Sequence, residues 1–344
     1  MTPPANRETM TGFVRDLFNN VLDVPAPNDN QVAAWVDRAM KLNDPLALFQ
    51  QFIAQKANKN RLAQRDDTVT HWPNGHFYSP VVSRADAEAE WPRLSRPRNP
   101  AEVDICAADQ AVMLRTLPQY FPTIPFTEHK DPRFRFYFEN PSYGYGDALI
   151  YWAMLNHLKP KRIIEVGSGF SSALALDTVD LLGLPTTCTF IDPFPAVAEA
   201  ATAPLGPSHR ILPRRIQDID LDVIRELQDG DLLFIDSSHI VKTGSDVHFE
   251  ITEMLPLLAP GVIVHFHDVF YPFEYHKRWI TQKNHSWNET YFLHAFLMYN
   301  SAFRIVFFNH FVATTMRAEL LKLSPVEGKR FLLNPGGGLW LRRA

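Results

Sequence analysis

Between Lys161 and Arg343 the chain alternates short, nearly continuous apolar runs with longer stretches whose apolar residues recur at helical spacing. The runs KRIIEV, TTCTFID, HRILP, DLLFID, GVIVHFHD, FRIVFFN and GLWLRR are expected as strands. One helix is expected over Asp147–Leu158 and another over ALALDTVDLL. Strands that are apolar along their length, with helices between them, imply a parallel sheet covered on both faces, and so an α/β fold.

Upstream the pattern is different. Phe13, Leu17 and Val21 share one helical stripe, and Trp35, Val36, Ala39 and Met40 suggest a second helix. Asp44 followed by Pro45 reads as an N-cap and first-turn proline opening a third, through Leu48, Phe49, Phe52 and Ile53. Residues 1–57 are therefore expected to form a small helical module. Residues 58–120 read as a linker and capping segment, and residues 121–344 as the main domain. From Asn58 to Pro100 the chain is polar and without clear periodicity. Within it, HWPNGHFYSP is too apolar for a free tether and is expected to lie against the main domain, near the mouth of its site. Ala101 to Tyr120 look helical.

The 344 residues are 46% hydrophobic and 21% charged, which excludes disorder of the whole chain. A net charge of −4 provides no global basic field for nucleic acid or an anionic membrane. Cys106 and Cys188, with no CxxC spacing, exclude a disulfide framework or thiolate zinc site and fit a reducing cytoplasm. No basic-then-apolar leader opens the sequence, and no uncharged apolar run approaches ~18 residues, so neither export nor a membrane span is expected.

The chemistry concentrates at strand ends. Glu165-Val166-Gly167-Ser168-Gly169 follows a buried-type strand and opens a helix, where glycines allow close backbone approach and unpaired N–H groups offer donors. A tight strand–helix turn is the plain alternative. The next strand ends at Asp192, 27 residues after Glu165, where a carboxylate can accept from both ribose hydroxyls. Together they point to a nucleoside-containing cofactor. Neither GxGxxG nor GK[ST] is present, which disfavours dinucleotide and triphosphate readings. A second constellation is Asp236-Ser237-Ser238-His239, with His265, His267 and Asp268 one strand later. His265 and His267 would share a face in an extended strand. Both histidines could equally be hydrogen-bonded strand-end residues.

The series IIEVGSGFSS, FIDP, DLLFIDSSH and PGVIVHFHDV resembles class I S-adenosylmethionine-dependent methyltransferases, in the bacterial branch near the macrolide-sugar and catechol O-methyltransferases. The resemblance covers about Tyr143 to Arg343. It implies a Rossmann-like seven-stranded sheet with a carboxy-terminal antiparallel hairpin. It also implies that Glu165, Gly167, Ser168, Gly169 and Ser171 surround the cofactor's methionine part, and that Asp192 holds its ribose. Gln217 or Asp218 would lie near the adenine, with Tyr145, Gly146, Asp147 and Asp236 completing the cofactor site. His239 falls where the metal-dependent members place a base, and Asp236, His267 and Asp268 where they place metal ligands. A histidine at 267 departs from the usual oxygen donor. It shifts the preference from Mg²⁺ towards manganese, iron or zinc. FVRDLFNNVLDVPAPNDNQVAAWVDRAM resembles a short helical domain of unknown function, a candidate surface for a homo-oligomer or another protein.

The reading that follows is methyl transfer to a hydroxyl of a sugar or natural-product-like small molecule. The aromatic insert with Phe273, Tyr275, Trp279 and Trp287 would face that acceptor. Two other classes stay open at this point, an iron-dependent hydroxylase and a scaffold that keeps the fold without the chemistry.

Overall fold

The computed structural model describes residues 7–18, 28–42, 48, 71–96, 98–283 and 285–344. The third amino-terminal helix expected from Asp44 lies outside these residues, apart from Leu48. Helices α1 (Arg7–Asp16) and α2 (Asp29–Leu42) pack on each other. Met10, Val14, Leu17, Val32, Val36 and Ala39 join Leu48 in a small apolar cluster of their own. Helix α3 (Arg84–Leu94) was not expected. Its alternating alanines and acids carry almost no apolar stripe, and it is set by the Ser83 N-cap, whose hydroxyl oxygen accepts the Asp86 N–H. Helix α4 (Ala107–Thr116) packs on the sheet edge, so Val103, Cys106, Leu114 and Leu117 belong to the main core.

Helix α5 (Tyr145–Leu158) is apolar on nearly every face, and from Gly146 to Asn156 it is buried without a break. It leads into β1 (Arg162–Val166), α6 (Phe170–Leu182), β2 (Thr187–Ile191), α7 (Pro195–Thr202) and β3 (Arg210–Leu212). Strands β4 (Leu232–Ile235) and β5 (Ile263–Phe266) follow, then α8 (Glu289–Leu297) and β6 (Phe303–Phe308). Three short helices, α9 (Asn309–Thr315), α10 (Arg317–Leu323) and α11 (Glu327–Leu333), carry the chain to β7 (Leu339–Arg343).

The sheet order is β3-β2-β1-β4-β5-β7-β6. The first five strands are mutually parallel, and β7 inserts antiparallel between β5 and β6. The expected seven strands and antiparallel end are present, although three helices rather than a tight turn join β6 to β7. Every residue of β4 and β5 is buried, which explains their unbroken apolar runs. The order reverses at β1, with β2 on one side and β4 on the other. In open α/β sheets that reversal opens a crevice beyond the strands' carboxyl ends. Among the described residues no helix is long and apolar enough to cross a membrane.

Candidate functional site

The turn after β1 sits in that crevice. Gly167 has φ +81°, and a Cβ there would come within 2.0 Å of the Asp236 backbone oxygen at the end of β4. Only glycine lets the turn after β1 come this close to the backbone that follows β4. Gly169 is different, with extended backbone and nothing within 4 Å of a Cβ position, so open space lies above it. Glu165 is fully buried, and its Oε1 accepts the Ser171 hydroxyl at 2.6 Å and the Ser172 hydroxyl at 2.7 Å. Ser172 Oγ also accepts the Gly169 N–H. Glu165 Oε2 is buried with no partner. Burial outweighs the two hydroxyl bonds and pushes the Glu165 carboxyl up to about 8.

Asp192, at the end of β2, accepts the Ser168 N–H at 2.9 Å and the Phe194 N–H at 2.7 Å, so it braces the glycine turn. Its burial raises it to about 6 against those two bonds. Asp147 is raised to about 7 by burial, with His267 opposing and Asp268 and Asp236 adding to the rise. Its Oδ1 accepts from Asn309 Nδ2 at 3.1 Å. Among the other expected cofactor residues, Gln217 donates to the Gly244 carbonyl, and the Tyr145 ring lies under Arg330, 3.9 Å from the guanidinium carbon. Both stand at the flank of the crevice rather than among the strand ends.

His239 and Asp268 both adopt left-handed backbone, φ +60° and +56°, which is rare outside glycine and concentrates at functional rims. His239 is buried. Its Nδ1 lies 2.8 Å from Glu289 Oε2, while Nε2 lies 3.3 Å from Asp236 Oδ1 and 3.9 Å from Asp268 Oδ2. Asp236 and Asp268 are 29% and 18% exposed at their side chains and Glu289 only 2%, so the Nε2 side is the reachable one. The Asn288 and Glu289 N–H groups bond the His239 carbonyl, and the Trp287 ring lies 4.3 Å from the imidazole. Burial would strip the proton from His239, but hydrogen bonds to Asp236 and Glu289 hold it on well above the usual histidine range. Burial likewise opposes Asp236, yet His267 and then His239 hold its carboxyl down to about 2.

His267 lies 3.5 Å from Asp268 Oδ1, and its ring packs on Tyr143. His265 shares its face, as expected, with ring centroids 6.0 Å apart, but it is a core residue between Phe234 and Trp340. Burial keeps it neutral. The expected metal set of Asp236, His267 and Asp268 does not fit a divalent ion. The His239 ring stands between the two carboxylates, with Nε2 3.3 Å from Asp236 Oδ1 and 3.9 Å from Asp268 Oδ2, and takes up the space between them. Among the described residues no group of three or more histidine, cysteine or acidic side chains is arranged to hold a metal.

Two contributors were not recognised from sequence. Glu289 carries no local sign of a role, since its contact with His239 spans 50 residues. The NPGGGLW segment closes the rim from the far side. A Cβ at Gly336 would strike the Asp147 carboxylate, and one at Gly337 would come within 2.6 Å of Asp268 Cα. Three glycines running into a strand were the available signal for such close approach.

Residues 164–269, spanning β1 to the start of the segment after β5, match a family described as a methyltransferase domain. Over these residues the chain carries a methyltransferase domain, set on a seven-stranded sheet. An uncharacterized protein of Archaeoglobus fulgidus is 27% identical to it over 165 residues, 46% of this chain and 75% of that one. Two solved structures are similar to the methyltransferase at lower identity. One is the O-methyltransferase TomG of Streptomyces achromogenes, involved in tomaymycin synthesis and solved with its SAM. It is 15% identical, with 64% of this chain and 87% of that one covered and a TM-score of 0.33. The other is the SAH-bound Podospora anserina methyltransferase PaMTH1, 15% identical over 80% of this chain and 100% of that one, with a TM-score of 0.37.

Proposed function

We propose that the domain methylates a hydroxyl of a small molecule, with His239 as general base. The observation that carries this reading is the His239 ring, held by Glu289 on one nitrogen and presented on the other to a rim beside the glycine turn. The cofactor would lie over Gly167, Ser168 and Gly169, with Glu165 and Asp192 facing its charged and ribose ends. Ser171 would act by holding Glu165, Asp236 would face the sulfonium, and Tyr145, Asp147 and Gln217 would border the site. When bound, the cofactor supplies an electrophilic methyl group on sulfur. Glu289 fixes the imidazole so that Nε2 meets the acceptor hydroxyl, and placement supplies much of the rate. His239 yields its proton more readily once positive charge lies beside Asp236. The neutral ring then takes the hydroxyl proton as the oxygen gains the methyl group, and passes that proton to solvent. The iron-dependent alternative finds no suitable donor set in the arrangement around His239.

The test is cofactor binding. Asp192→Ala removes the ribose acceptor and releases the Ser168 and Phe194 N–H groups. Each lost charged hydrogen bond costs about 1.5–3 kcal/mol, so S-adenosylhomocysteine affinity should fall by about tenfold or more in calorimetry. Unchanged affinity in a folded variant would remove Asp192 from the site.

We propose as well that the α1–α2 module folds separately from the methyltransferase domain, because among the described residues its apolar cluster shares no member with the main core. Deleting residues 1–57 should leave a protein that melts cooperatively and binds S-adenosylhomocysteine as the full chain does. An insoluble or cofactor-blind truncation would put the boundary elsewhere.

A further inference from the structure

The acceptor side of the methyltransferase extends well beyond His239. Helix α3 does not float on its polar segment. Trp91 lies under the Lys277 ammonium at 6.0 Å, and Arg98 reaches Glu274 at 3.8 Å, so the capping segment is fastened to the insert after β5. Between them lies a cavity of about 300 Å³, walled on one side by Val82, Ala87 and Leu94 and on the other by Ile280, Trp287 and Tyr291. Trp287 and Asn288 belong both to this wall and to the surroundings of His239. At the low end of ligand-pocket volumes, the cavity would take a ring-sized fragment rather than a whole acceptor.

The HWPNGHFYSP segment borders it, since its last residue, Pro80, lines the cavity, as does Val82 just beyond. The segment is tied together by its own backbone bonds. Gly75 N–H bonds the Val81 carbonyl, His76 N–H the Pro73 carbonyl and Ser79 N–H the His76 carbonyl. Trp72 stacks flat on His76 at 4.2 Å, with Tyr78 beside both. Yet Trp72, Tyr78 and Phe77 are 40%, 68% and 91% exposed. Rigid aromatic faces left in water, next to a cavity that reaches the catalytic rim, suit a ligand that is apolar on its ring faces and polar at its edges.

We infer that this finger and the cavity behind it form a second acceptor subsite, which holds a neutral carbohydrate portion of the acceptor away from the hydroxyl that is methylated. The inference deepens the proposed function and rests on it. Charge decides against a polyanion such as a nucleic acid. Asp86 and Glu90 line the cavity, its one arginine, Arg93, is paired with Glu90 at 2.7 Å, and the chain is net negative. Sugar rings match the remaining chemistry. Their C–H faces lie on aromatic rings, while their hydroxyls find the Asp86, Glu90 and Ser286 side chains around the wall.

The test uses the full-length protein on a printed array of neutral and acidic oligosaccharides, with S-adenosylhomocysteine calorimetry and melting curves as controls. The wild type should bind at least one neutral oligosaccharide. Trp72→Ala/Tyr78→Ala should weaken that binding by about tenfold or more, the worth of losing one buried aromatic contact or better. Val82→Trp, which adds bulk to the cavity wall, should weaken it similarly, with melting and S-adenosylhomocysteine affinity unchanged in both. Absence of neutral-glycan binding, binding confined to acidic glycans, or binding indifferent to both variants would overturn the subsite. Failure of the wild type to bind S-adenosylhomocysteine would defeat the cofactor reading instead and leave the array result to be judged by itself.

Discussion

His239→Ala should slow methyl transfer by ~10²–10⁴-fold, the usual cost of a lost general base, with S-adenosylhomocysteine affinity essentially unchanged. The measurement is single-turnover transfer to an acceptor established with the wild type, after metal has been stripped and again after it is restored. Given how His239 occupies the gap between Asp236 and Asp268, both conditions should give the same rate. The pH profile carries the sharper information. A base works when neutral, and Asp236 and Glu289 hold the His239 proton above its ordinary value of 6.5. Activity should therefore climb with pH along a limb displaced above that value. Glu289→Gln removes one of the two anions and should move the limb to lower pH. A limb that stays in place, or full activity in His239→Ala, would leave positioning as the source of catalysis.

The second large effect comes from a pair of glycines two residues apart. Gly167→Val puts a branched side chain at φ +81° and against the Asp236 carbonyl, which no rotamer can avoid because the collision is with backbone. Left-handed strain and overpacking together cost about 2–5 kcal/mol. The melting temperature should fall, and cofactor binding should be lost with the displaced β4 end. Gly169→Ala separates the two effects, since its added methyl meets nothing within the protein. Stability should stay within about 0.5 kcal/mol, as for other substitutions that disturb no packing. S-adenosylhomocysteine affinity should nonetheless drop, because the methyl enters the space through which the ligand approaches the turn. An unaffected Gly169→Ala would mean that the cofactor lies elsewhere.

The parallel half of the fold was legible because buried strands have no polar face to break their apolar runs, as KRIIEV, DLLFID and GVIVHFHD show. The glycine turn and Asp192 were legible for a related reason, since both follow directly from strand ends. Helix α3 was not. RADAEAEWPRL buries only Ala87 fully, so its helicity rests on a cap and on packing against the insert rather than on periodicity. Glu289 carried no local mark at all, because what gives it a role is His239, met only after the chain has passed through the whole insert. Tyr145 and Gln217 took their roles from the resemblance alone, and their side chains answer to Arg330 and Gly244.

The bonds that shape the two sides of the crevice span very different lengths of chain. Glu165 finds Ser171 and Ser172 within seven residues, and Asp192 reaches Ser168 across 24. Around His239 the span is longer, with Glu289 at 50. Closing a loop costs entropy that grows with its length, and contacts between distant residues come late when a chain condenses. The turn proposed to face the cofactor therefore closes at a smaller entropic cost than the contact that holds the proposed base.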